Sequence, residues 1–164
     1  MAIKDALLPE FDHEMGLTRR LLERVPDDKL GWQPHQKSMT MGRLATHIAE
    51  IPHWAQTIIK DAVFVMPPGR YQPKTVASTA ELLTFFDDTV AAARALIAPV
   101  TDAELTGTWT MRAGGHDVIS MPKAAVLRTL VMSHLIHHRG QLSVYLRENN
   151  VPLPSIYGPS ADER

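Results

Sequence analysis

Four long stretches of the sequence repeat apolar side chains at intervals of three or four residues. That interval places the apolar side chains on one face of an α-helix. The repeat predicts helices over residues 3–25, 41–60, 79–98 and 121–148. Each helix would have one apolar face to bury against its neighbours. The pattern therefore predicts an all-α fold, a four-helix bundle with long loops.

Residues typical of helix ends delimit these stretches. Pro26 ends the first helix, and Thr40 is the predicted N-cap of the second. Pro52 lies inside the second helix and is expected to kink it. Ser120 is the predicted N-cap of the fourth helix, because Pro122 then falls in the first turn, where its missing N–H does no harm.

The connection between the third and fourth helices contains a turn signal. Gly114 and Gly115 separate residues 108–112 from residues 117–120, and a Gly-Gly pair supports the tight turn of a hairpin. A small hairpin here would be peripheral to the bundle. The connections over residues 26–39 and 61–77 are long for a compact domain, and such loops are often functional.

Size and charge exclude several classes of function. The chain has 164 residues, and we predict a single domain over residues 1–164. The net charge of -1 provides no basic surface of the kind that nucleic-acid binding needs, so we expect no nucleic-acid partner. Charges at Lys4, Asp5 and Glu10 interrupt any signal peptide, and no apolar stretch is long enough to cross a bilayer. We therefore expect a cytoplasmic protein without a membrane partner.

The chain has eight histidines and no cysteine. Without cysteine it can form no disulfide, no cysteine-ligated zinc site, no iron–sulfur cluster and no cysteine nucleophile. His134 and His138 are four residues apart on the fourth helix, which places them about 40° apart around the axis and about 6 Å along it. Both share a face with apolar residues, and so does His47 on the second helix. His53 points elsewhere. His137 could instead pair with His134 at an interval of three residues, but its face is partly outward, so His138 is preferred.

These three histidines are the candidate metal ligands. Three imidazoles leave an open coordination position, which is typical of a catalytic zinc site. Nickel, iron, cobalt or manganese would suit the same ligands. Spacing alone is equally compatible with hydrogen-bonded core histidines. A ferritin-like di-iron site is excluded, because Glu50 and His53 supply its Glu-x-x-His motif only once.

No catalytic side chain can be assigned from the sequence. Asp12, Glu14 and Glu50 are candidates to orient a ligand histidine, although each is expected on a solvated face. Trp54 lies on about the same face as His47, where it would line a pocket or belong to the core. For Arg139 and Gln141, neighbours of the ligand face, we expect a place on the helix surface or in a dimer contact.

Four segments together resemble the DinB-like proteins, the DNA-damage-inducible DinB family of the YfiT-like metalloenzyme superfamily. They are Trp32-Gln-Pro-His-Gln-Lys-Ser-Met39, Gly42-Arg-Leu-Ala-Thr-His47 with Trp54, His134-Leu-Ile-His-His-Arg-Gly-Gln-Leu142, and Val151-Pro-Leu-Pro-Ser-Ile-Tyr-Gly158. The resemblance covers nearly the whole chain. It implies an up-down-down-up bundle, a homodimer, and one divalent metal ion held by His47, His134 and His138.

The resemblance also suggests a reaction. Several relatives in the superfamily are transferases or isomerases that use a low-molecular-weight thiol such as bacillithiol, mycothiol or glutathione. A metal-dependent enzyme that activates a thiol co-substrate for transfer to a small molecule is therefore the first hypothesis. The alternatives are a metal-dependent hydrolase that uses bound hydroxide, and a non-catalytic, stress-related protein that binds metal or a small ligand.

Overall fold

The computed structural model describes residues 2–69 and 72–163. Most of these residues are helical, and three short strands form a sheet. The helices are α1 (Ile3–Leu22), α2 (Met41–Glu50), α3 (Trp54–Lys60), α4 (Thr79–Ile97), α5 (Asp102–Thr106), α6 (Lys123–Val126) and α7 (His134–Glu148). The strands are β1 (Val63–Val65), β2 (Thr108–Ala113) and β3 (His116–Pro122). The prediction of a mainly helical chain is confirmed, and the chain also contains a small three-stranded sheet.

The long helices bury a common apolar core. Helix α4 packs against α1, α2 and α3, while α7 packs against α1 and α2. The up-down-down-up order of a four-helix bundle stays a prediction. Within the described parts of the chain, no helix has the length and apolar character needed to cross a membrane.

The second predicted helix is divided in two at the expected place. A 3₁₀ turn over Ile51–His53 separates α2 from α3, and Pro52 lies in its middle, where proline cannot donate an α-helical hydrogen bond. The predicted N-cap is confirmed, since the Thr40 hydroxyl accepts a hydrogen bond from the backbone N–H of Arg43 at 3.1 Å. Gly42 lies so close to Leu30 that an added Cβ would be 3.0 Å from the Leu30 carbonyl oxygen. Glycine therefore lets the preceding loop pack onto the start of α2.

The fourth predicted helix begins later than expected, so Ser120 is not its N-cap. Ser120 is part of β3 and lies opposite Thr110 of β2, with their hydroxyl oxygens 3.2 Å apart. The strand continues to Pro122, and the helix starts at Lys123. Pairing with β2 thus prevails over the local helix-start signal. Between α6 and α7, residues Leu127–Ser133 form a π-helix, in which backbone hydrogen bonds span one residue more than in an α-helix.

The hairpin is present, but the prediction that it is peripheral is wrong. Strand β2 pairs antiparallel with β3 and parallel with β1, a third strand that was not predicted. Trp109 of β2 is fully buried, and its Nε1–H donates to the carbonyl of Thr57 at 3.2 Å. Phe64 of β1 stacks on the Trp109 ring with the centroids 6.5 Å apart. One face of the sheet therefore belongs to the core.

Trp109 gives a direct test of this packing. Replacing it with alanine (Trp109→Ala) removes a fully buried ring and its hydrogen bond, so the free energy of unfolding should fall by about 3–5 kcal/mol. Urea denaturation measures the change. Val118→Ala, an exposed position in the same hairpin, is the control and should change stability by less than about 0.5 kcal/mol. Equal, small effects of both changes would show that the sheet is not part of the core.

Candidate metal centre

Helices α2 and α7 bring the three candidate histidines to one point. Helix α7 begins at His134, so His138 follows it by about one turn, and α2 packs against α7 with His47 facing them. The Nε2 atoms of His134 and His138 are 2.9 Å apart. The Nε2 atoms of His47 and His134 are 3.3 Å apart. One ring nitrogen from each histidine lies within 4.8 Å of the other two.

These distances fit the ligand set of a divalent ion. Zinc binds imidazole nitrogen at about 2.0–2.1 Å in tetrahedral geometry, so neighbouring ligand atoms lie roughly 3.3–3.4 Å apart. The two Nε2 separations are close to that value. Imidazole is also a ligand that zinc, nickel, iron and cobalt accept. The residues present therefore fit a single ion with an open coordination position.

The His138 ring is oriented by a hydrogen bond on its far side. The Nδ1 atom of His138 lies 2.7 Å from Oε1 of Gln141, which accepts a hydrogen bond from it. This bond leaves the Nε2 lone pair of His138 free to bind a cation. Gln141 is exposed on the helix surface, as expected from the sequence, and from there its side chain contacts His138.

The π-helix changes the backbone hydrogen bonding at His134. In an α-helix the backbone N–H of His134 would donate to Leu130, four residues earlier. Here that N–H donates instead to Thr129 and Val131. The Leu130 carbonyl is therefore not used by the His134 backbone, and it opposes the lowering of the pKa of the His134 ring by burial.

The His47 ring lacks such a hydrogen bond. Nδ1 of His47 is buried and has no hydrogen-bond partner, the one such side-chain atom in residues 2–69 and 72–163. The nearest carboxylate is that of Glu50, with Oε2 at 3.6 Å. The same oxygen accepts from the Arg43 guanidinium at 3.0 Å, and the other accepts from the backbone N–H of Lys74 at 2.9 Å. The Glu50 side chain is only 12% exposed, so the expected solvated position is wrong.

The surroundings of the centre lower the pKa values of Glu50, His134 and His138. Burial would raise the pKa of Glu50, but the neighbouring His47 ring, the Lys74 N–H and the Arg43 guanidinium together outweigh it, and the pKa is lowered. Burial lowers the pKa of His138 to about 4, and the nearby His47 and His134 act in the same direction. Burial likewise lowers the pKa of His134. These two imidazoles are therefore neutral at pH 7, as metal ligands must be.

The structure also places the other candidates. Asp12 is exposed as expected and pairs with Arg94 at 2.8 Å. Trp54 packs edge-on against Phe64, so it belongs with the core aromatics. His137 is exposed, and its ring centroid lies 4.9 Å from that of His138, but it is not among the three clustered histidines. His53 is exposed on the 3₁₀ turn.

Glu14 and Arg139 are buried, which contradicts the expected surface positions. Their side chains are 8% and 3% exposed and form an ion pair at 2.7 Å. The guanidinium also donates to the Glu14 carbonyl and to the Thr18 hydroxyl, both at 3.1 Å. Tyr157 completes the cluster by donating to Glu14 at 2.8 Å. The cluster joins α1, α7 and the C-terminal segment next to His138.

Comparisons with known proteins show which proteins this chain is similar to. The model of the DinB family matches residues 1–164. The uncharacterized protein YrdA of Bacillus subtilis is 28% identical over 160 residues, which are 97% of this chain and 90% of YrdA. The uncharacterized protein YjoA of the same organism is 27% identical over 151 residues, 90% of this chain and 92% of YjoA.

Two solved structures share the fold. A DinB-like protein from Bacillus cereus has a TM-score of 0.71 and 25% identity, and the match covers 93% of this chain and 97% of that one. The DinB-like protein YjoA from Bacillus subtilis has a TM-score of 0.68 and 22% identity, and the match covers 97% of this chain and 99% of that one.

The lowered pKa of His138 predicts a pH-dependent stability for the metal-free protein. Between pH 6.5 and about 4 the unfolded state binds a proton at this position and the native state does not, so stability falls as the pH falls. Urea unfolding in a chelator at pH 5–7 measures the slope. His138→Gln should flatten it, whereas the exposed control His53→Gln should keep the wild-type slope. An unchanged slope in His138→Gln would contradict this assignment.

Proposed function

Because this chain belongs to the DinB family, we propose that it binds one divalent metal ion through the Nε2 atoms of His47, His134 and His138. The observation that carries the proposal is the convergence of these three nitrogens. The His138 ring directs its other nitrogen to an acceptor, Oε1 of Gln141, as metal-ligating histidines generally do. Zinc is the first choice of metal, and nickel, iron, cobalt and manganese are the alternatives.

We propose further that the centre activates a low-molecular-weight thiol for transfer to a small-molecule electrophile. When bound, a divalent ion supplies Lewis acidity and favours the thiolate form of a thiol that reaches it. The chain has no cysteine, so the sulfur must come from a co-substrate. The three imidazoles are the protein's ligands and leave a position open for it. The resemblance to thiol-dependent transferases supports this reaction over hydrolysis.

The quaternary arrangement is proposed on the same resemblance. We propose a homodimer of up-down-down-up bundles that acts in the cytoplasm. These features rest on the family rather than on contacts within this chain.

Metal analysis tests the ligand assignment. Protein reconstituted with zinc and freed of excess should hold about one ion per chain. Most of the zinc should be lost in each of the variants His47→Ala, His134→Ala and His138→Ala, because only two of the three imidazole ligands then remain to hold the ion. His53→Ala and His137→Ala are matched controls and should keep full occupancy. Full occupancy in His134→Ala would overturn the assignment.

A thiol panel tests the reaction. Metal-loaded protein is mixed with a chromogenic aryl halide and, in turn, with glutathione, bacillithiol and mycothiol. At least one thiol should give the S-conjugate faster with loaded wild-type protein than with metal-free protein or His138→Ala. Equal rates for every thiol would overturn the transferase proposal and leave metal binding in place. Metal-dependent cleavage in a parallel ester panel would favour the hydrolase instead.

A further inference from the structure

The three ligand rings differ in how their outer nitrogens are satisfied. The Nδ1 atom of His138 has an acceptor in Oε1 of Gln141. Nδ1 of His47 is buried without one. A buried polar atom without a partner costs about 1–3 kcal/mol, so native proteins rarely leave one unless it has a purpose. This asymmetry marks the outer side of His47 as incomplete.

The carboxylate of Glu50 is placed to complete it. Glu50 follows His47 by three residues on α2, and its Oε2 atom is 3.6 Å from Nδ1. That distance is too long for a hydrogen bond, but a shift of less than 1 Å would make one. The Arg43 guanidinium, at 3.0 Å, holds the same oxygen. Arg43 therefore competes with His47 for Glu50.

From this geometry we infer that Glu50 is the positioning residue of His47 and that Arg43 opposes it. The inference rests on the proposed metal site. When His47 binds a cation through Nε2, its Nδ1–H becomes a stronger donor, and a carboxylate is the acceptor that gains most from it. Glu50 then shifts from Arg43 to His47 and holds the ring in its ligating orientation.

A second contact anchors the carboxylate while this exchange takes place. Oε1 of Glu50 accepts from the backbone N–H of Lys74, in the long connection between β1 and α4. The Lys74 side chain is itself held, 4.9 Å above the Phe85 ring and 3.8 Å from Glu81. The Oε1 atom of Glu50 is thus bonded to a neighbouring segment, and Oε2 can accept a hydrogen bond from either Arg43 or His47.

Zinc affinity, measured by competition with a chromophoric chelator, tests the inference. Glu50→Ala should weaken binding about 10–100-fold, as is usual when the hydrogen-bond partner of a ligand histidine is lost. Glu50→Gln keeps a neutral acceptor and should lose less than about tenfold. Arg43→Met removes the competitor and a nearby positive charge, so its affinity should rise. Glu81→Ala, which also contacts Lys74 but no histidine, is the matched control and should bind like the wild type.

Imidazole NMR provides a readout that a purely structural role would not change. In zinc-loaded wild-type protein labelled with ¹⁵N, the Nδ1–H proton of His47 should be observed and slow to exchange. Glu50→Ala should lose that signal, and Glu50→Gln should retain it. The His138 signal, supported by Gln141, should be present in all three proteins.

The outcomes separate this inference from the proposed function. Failure of the wild type to bind zinc would overturn the metal site itself. Wild-type affinity together with an unchanged His47 signal in Glu50→Ala would overturn the role of Glu50 and leave the site intact. A weaker affinity in Arg43→Met would overturn the competition between Arg43 and His47.

Discussion

The centre depends on a single constraint: three imidazoles must be held with one nitrogen each directed at the same point. Side chains with lone pairs that face each other do not attract, so the surrounding structure has to supply the orientation. Apolar packing supplies part of it, through fully buried residues such as Leu44 and Ile48 on α2 and Leu135 and Leu142 on α7. The hydrogen bond between the outer nitrogen of His138 and Gln141 supplies another part.

Much of this arrangement could be predicted from sequence because it is periodic. The apolar repeat located the long helices. The closeness of the His134 and His138 side chains follows from the helix pitch alone, because four residues make about one turn. The meeting of His47 with this pair is different. It depends on α2 packing against α7, a contact that no spacing within one helix determines. His47 entered the predicted set because it shares its helix face with apolar residues, and the DinB resemblance, which the family model confirms, implied the same three ligands.

The wrong expectations have physical reasons. Glu50 was expected on a solvated face, but its side chain is largely buried beside His47, where Arg43 and the backbone of Lys74 hold its carboxylate. Arg139 and Glu14 were expected at the surface because a charge is rarely buried unless it is paired, and the pairing partner lies on another helix. Strand β1 has only three residues and is stabilised by distant partners in β2, which a local pattern cannot reveal.

The π-helix over Leu127–Ser133 lies between the sheet and the metal centre, so its length sets how the two are rotated relative to each other. Deleting one residue from it would restore α-helical hydrogen bonding without breaking the helix. Everything before the deletion would then turn by about 100° relative to His134. Because β3 ends at Pro122, directly before α6, the hairpin and its buried Trp109 would have to turn as well. The number of residues between β3 and His134 is therefore fixed. We expect an insertion or deletion in this segment to disrupt the structure far more than one in the long loops.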